Sequence, residues 1–99
     1  MRLSAADRDL IKQRVHNHVG PSATIRLFGS RLDESRRGGD VDIFVDLAEP
    51  LDDRLRLECE LSALLERALD GRSVDVVVAA PNLAARTIDC VARQTGVAL

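Results

Sequence analysis

Apolar positions recur at helical spacing near the start of the chain, at Leu3, Leu10, Ile11, Val15 and Val19. Ser4 followed three residues later by Asp7 has the pattern of a capping box, and Gly20-Pro21 stops the run. A first amphipathic helix is therefore predicted. The period then changes. "ATIRLF" (23–28) is a short β-rich run, and "VDIFVDL" (41–47) alternates strictly. In the latter, Val41, Ile43, Val45 and Leu47 share one face, and Asp40, Asp42, Phe44 and Asp46 share the other. Pro50 closes that strand. Between Leu51 and Asp70 the helical period returns at Leu57, Leu61, Leu64, Leu65 and Ala68, with Gly71 as a C-terminal stop. "SVDVVVAA" (73–80) is a third strand, with Val74, Val76 and Val78 opposite Asp75, Val77 and Ala79. Pro81 suits the first turn of a last helix carrying Leu83, Ile88 and Val91, ended by Gly96 before a short tail. Residues 31–39 form a linker with room for a short helix.

Helices alternating with strands in this order define an α/β (α+β) chain, and 99 residues suffice for one domain spanning 1–99. The apolar content of 45% with two aromatics, Phe28 and Phe44, predicts an aliphatic core. Fourteen basic against sixteen acidic residues leave a net charge of −2, which argues against direct binding of nucleic acid through its phosphates. No apolar run approaches the ~20 residues needed to span a bilayer, and the N-terminal stretch has no apolar core of a secretion signal. A cytoplasmic location without membrane contact is expected. Cys59 and Cys90 lack metal-ligand spacing and are expected to be small buried or half-buried hydrophobes. His16 and His18, two apart on a helix, point to different sides and read as surface residues.

The acids on the strands change this picture. Aspartate is depleted in strands because its short charged side chain packs poorly on a pleated, half-buried surface. Asp40 and Asp42 nevertheless project from one face, roughly 6 to 7 Å apart along the strand, close enough to share a metal ion. Mg²⁺ takes oxygen ligands, typically one or two carboxylates plus substrate phosphates. If the strand of Asp75 lies beside that of Asp42, a third carboxylate joins and leaves room for two ions about 3.5 to 4 Å apart, an arrangement suited to displacement at phosphorus. Gly29-Ser30, following a strand, lets the backbone approach an anion and offers a hydroxyl and N–H groups to a triphosphate. Arg31 adds a bidentate phosphate contact, with Arg36 and Arg37 on the approach to Gly38-Gly39. Taken singly, an Asp-x-Asp is a solvated strand face, Gly-Ser a turn and Arg36 and Arg37 loop solvation. Asp46, near Pro50, reads as a surface acid at the strand end.

The conjunction is what points to chemistry: strand, Gly-Ser, nine residues, Asp-x-Asp, then an isolated Asp in a third apolar strand. It resembles the nucleotidyltransferase superfamily of DNA polymerase β type, on "LFGS" (27–30), "DVDI" (40–43) and "VDVVV" (74–78). More narrowly, the chain resembles the minimal nucleotidyltransferases that bacteria and archaea encode beside a HEPN-domain protein as a toxin–antitoxin pair. The resemblance covers nearly the whole chain. It departs from the pattern of many members at Gly39, where they carry Ser before the first Asp, and near Glu34.

That resemblance implies a small mixed sheet of about three to four strands with helices packed on one face. It implies that Gly29, Ser30 and Arg31 bind nucleotide phosphates and that Asp40, Asp42 and Asp75 form a catalytic triad holding Mg²⁺, as two ions. The expected reaction moves AMP from ATP to a hydroxyl on a HEPN-domain partner, within a homo- or hetero-oligomer. The alternatives are an antitoxin that binds nucleotide and silences its partner by contact alone, and transfer to a small molecule of the aminoglycoside kind.

Overall fold

The computed structural model describes residues 4–28 and 41–99. Helix α1, Ala5–Val19, begins where the capping pattern places it: the Ser4 hydroxyl accepts from the Asp7 N–H at 3.0 Å. It ends at Gly20, whose φ of 103° only glycine adopts without strain. His16 is tied to the chain beyond, its Nε2 lying 3.0 Å from the Ala23 carbonyl. Strands β1, Thr24–Phe28, and β2, Val41–Asp46, pair antiparallel. Helix α2, Arg54–Ala68, is shorter than the periodicity suggests, because Asp53 caps it by accepting from the Arg56 N–H at 3.1 Å. It carries the chain back to β3, Val74–Ala79, which pairs parallel with β2.

The last helix departs from expectation. Helix α3, Thr87–Thr95, starts six residues after Pro81, and Gly96 ends it as anticipated. The tail is not loose: β4, Val97–Ala98, pairs antiparallel with β1, and the Leu99 N–H donates to the Ile25 carbonyl at 3.0 Å. The result is a four-stranded mixed sheet of order β3-β2-β1-β4.

The strict alternation in β2 and β3 sorts the two faces. Ile25, Leu27, Val41, Ile43, Val45, Val74, Val76 and Val78 pack against Ile11 and Val15 of α1 and Leu57, Leu61 and Leu65 of α2. Burying those branched aliphatic side chains is the main source of stability, at roughly 1.5–3 kcal/mol each. The helix layer expected on one face is thus α1 and α2. Helix α3 lies on the other, where Ala92 packs against Phe28, Phe44 and Ala79.

The outer edge of β3 is covered by side chains. At Val78 the backbone N–H donates to Glu58 Oε2 at 2.8 Å, and the carbonyl accepts from an Arg86 Nη at 3.0 Å. At Val74 the N–H donates to Glu66 Oε2 at 3.1 Å and the carbonyl accepts from the Ser62 hydroxyl. An edge strand with open N–H and C=O groups is a template for pairing with another chain, and α2 closes two of its rungs.

Candidate active site

The sheet register brings two of the predicted acids together. Asp42 of β2 and Asp75 of β3 are direct partners in the parallel pair, and Phe28, the last residue of β1, is the antiparallel partner of Asp42. Both acids are the second residue of their strands and project from the α3 side of the sheet, because their neighbours Ile43 and Val76 point into the α1–α2 core. Neighbouring strands run about 4.8 Å apart, so one cation can touch both carboxylates. Asp42 is half-buried and Asp75 exposed. Asp75 also lines a shallow depression with Glu58, Ser62 and Glu66. Two adjacent, solvent-reachable carboxylates are hard oxygen donors and fit Mg²⁺.

Asp40, Gly29, Ser30 and Arg31 lie outside the described residues, as do Arg36, Arg37 and the 31–39 linker. Among the described residues no group of three or more metal-ligating side chains forms. The Asp42 and Asp75 pair is therefore the described part of the acidic set.

Helix α3 crosses the same face. At its start, Arg86 reaches β3 through the Val78 carbonyl and pairs with Glu58 at 3.0 Å and with Asp89 at 3.3 Å. Burial works against the charge on Arg86, but the Glu58 hydrogen bond and charge, with those of Asp89, outweigh it and raise its pKa. At its end, Gly96 abuts Arg26 of β1: a Cβ at Gly96 would lie 3.1 Å from Arg26 Cβ. Over β2, Arg93 makes two hydrogen bonds to Asp46, at 3.2 and 3.3 Å, with its guanidinium 5.5 Å from the centre of the Phe44 ring. The Asp46 hydrogen bond and charge raise the Arg93 pKa. Asp46 is thus not the solvated acid its position suggests; it fastens α3 to β2.

Two further expectations are corrected here. Ile88 and Val91, read as the buried face of the last helix, are exposed, and Asp89 and Ala92 are the buried pair. Asp89 tolerates burial because its carboxylate accepts the Arg86 N–H at 2.8 Å and an Arg86 Nη, so the charge is paired and hydrogen-bonded. An acid three residues past the helix boundary is a capping signal. It was hidden because Pro81 suggested an earlier start. Cys59 and Cys90 are both exposed free thiols rather than small core residues, each lying on the outer side of a helix whose inner side is already filled. No helix among the described residues is long and apolar enough to cross a membrane.

A mixed sheet with two register-paired carboxylates on the open face, one helix crossing beside them and two helices behind, defines a nucleotidyltransferase-type site. The chain belongs to that family: the model of the nucleotidyltransferase domain matches residues 8–91. It is similar to solved chains of toxin–antitoxin complexes. One is a variant of the MntA–HpeT complex, 30% identical, with a TM-score of 0.63 over 94% of this chain and 69% of that one. Another is a toxin–antitoxin with AMP-PNP, at 29% identity, TM-score 0.65, 93% of this chain and 70% of the other. A third is a tri-AMPylated HEPN toxin of Shewanella oneidensis in complex with its MNT antitoxin, at 27% identity, TM-score 0.60 and coverages of 93% and 70%. No curated protein matches.

Proposed function

We propose that this chain is a single-domain, Mg²⁺-dependent nucleotidyltransferase that moves AMP from ATP onto a hydroxyl of a HEPN-domain partner, as the antitoxin of a toxin–antitoxin pair. The observation that carries the chemistry is the register of Asp42 and Asp75. The similarity to an MNT antitoxin bound to an AMPylated HEPN toxin, and to a toxin–antitoxin with AMP-PNP, supports the partner, the nucleotide and the transferred group.

In this reading Asp40, Asp42 and Asp75 hold Mg²⁺, as two ions, while Gly29, Ser30 and Arg31 hold the triphosphate. When bound, the metal supplies positive charge at the α-phosphate and the departing pyrophosphate. The acceptor oxygen forms a bond to the α-phosphorus as the bond from that phosphorus to the bridging oxygen breaks. Pyrophosphate leaves with the electron pair. Asp75, exposed at the rim, is placed to take the proton of the acceptor hydroxyl.

Intact mass spectrometry of the HEPN partner after incubation with ATP and Mg²⁺ tests the proposal. One or more added AMP units are expected with the parent chain and none with Asp40→Ala. A partner that stays unmodified, yet is silenced equally by both proteins, would replace transfer with silencing by contact.

A further inference from the structure

The crossing of α3 fixes which of its flanks looks toward the carboxylates. The helix starts over β3, where Arg86 holds the Val78 carbonyl, and ends over β1, where Gly96 abuts Arg26. In between, Ala92 sits on Phe44, with Asp42 two residues along β2 in one direction and Asp46 two residues in the other. Arg93 reaches Asp46, so its flank of α3 faces the C-terminal end of β2. Ile88 and Val91 lie roughly 140–160° around the helix from Arg93, at 100° per residue. Their flank therefore faces the Asp42 and Asp75 end. Both are large apolar side chains left open to solvent, at 43% and 45%.

The order across the sheet assigns what stands against them. Phe28, Asp42 and Asp75 line up in register from β1 to β3. With the triphosphate held just beyond Phe28, the pyrophosphate leaves on the β1 side, and an in-line attack brings the acceptor from the opposite, β3 side. Ile88 is in the first turn of α3, on that side. We propose that Ile88 and Val91 form the docking ridge for the acceptor protein, receiving apolar side chains next to the hydroxyl that is modified. This rests on the function proposed above and deepens it. Among the described residues α3 is the one element on the carboxylate face, so a protein acceptor reaching Asp75 must abut it. An apolar pair with a polar surround is the form that interface anchors take.

The test uses Ile88→Glu and Val91→Glu, with Leu55→Glu as control; Leu55 is an exposed apolar residue of α2, behind the sheet. Circular dichroism first confirms folding, and Ile88→Ser and Val91→Ser replace any variant that does not fold. Three quantities are read with the purified HEPN-domain partner: KM for the partner, kcat at saturation and the Kd for Mg-ATP. The expected result is a KM raised tenfold or more in both ridge variants, with kcat, Mg-ATP affinity and the control within twofold of the parent. A KM within twofold in both ridge variants overturns the proposal. So does a matching loss of Mg-ATP affinity, which would make the flank a platform for the nucleoside. If the parent chain transfers no AMP, transfer has failed and docking is read alone, from the calorimetric Kd for the partner without nucleotide. A tenfold weakening in the ridge variants then supports the ridge; equal affinity, or no binding by the parent, overturns it.

Discussion

Asp42 and Asp75, 33 positions apart in the chain, are register partners on adjacent parallel strands and project from the same sheet face. Two carboxylates so placed repel each other unless a cation lies between them, and that cost is the signature of a site built to hold one.

Mg-ATP binding should therefore depend on this pair. Asp42→Asn removes one formal charge with little change in shape, and isothermal calorimetry should show Mg-ATP affinity falling at least tenfold. Undiminished affinity would return both acids to the role of a solvated strand face.

Stability should move differently. Asp75 is exposed, so Asp75→Asn is expected to change unfolding free energy by no more than about 0.5 kcal/mol without metal while abolishing AMP transfer. A loss of several kcal/mol on thermal unfolding would instead identify Asp75 as part of a structural hydrogen-bond network.

The edge of β3 offers a prediction independent of catalysis. Glu58 Oε2 accepts from both the Val78 N–H and Arg86, so Glu58→Ala frees a strand N–H and the Arg86 guanidinium together. Urea unfolding should show a loss of about 1–3 kcal/mol. Glu58→Ala combined with Glu66→Ala should also populate dimers or larger species on size-exclusion chromatography, because two rungs of the edge are uncovered. A double variant that stays monomeric at high concentration would show that these side chains do not guard the edge.

Gly96→Ala tests the junction of α3 and β4. The backbone there has φ −72°, open to any residue, so the objection is steric. The added Cβ would fall 2.4 Å from the Ala92 carbonyl oxygen and 3.1 Å from Arg26 Cβ. Overpacking of this kind costs about 1–3 kcal/mol, and hydrogen exchange should show the Leu99 amide losing protection as β4 separates from β1. Unchanged protection and melting temperature would mean that α3 shifts without strain.

Much of this was legible in the chain itself. The Ser4 cap, the stops at Gly20, Gly71 and Gly96, and the alternation of Val41, Ile43 and Val45 against Asp42 and Phe44 all arise within a few residues. Side-chain direction in a helix or strand is fixed by local backbone geometry, so sequence spacing reports it. The spacing from Gly29-Ser30 to Asp40 and Asp42 was equally local, and it carried the family resemblance that the match over residues 8–91 bears out. Tertiary structure decided what depends on distant partners. The sequence left open whether β3 lies beside β2 at all, and pairing with Asp42 opposite Asp75 makes two remote acids one pair. Two residues are too few to show a period, so β4 exists only because β1 offers an edge. The inward face of α3 was misread because Ile88 and Val91 have the greater hydrophobicity, yet Asp89 is the residue whose charge Arg86 can satisfy beneath the helix. Burial follows the sum of packing and polar satisfaction over the whole fold, and a local period contains only the first of these.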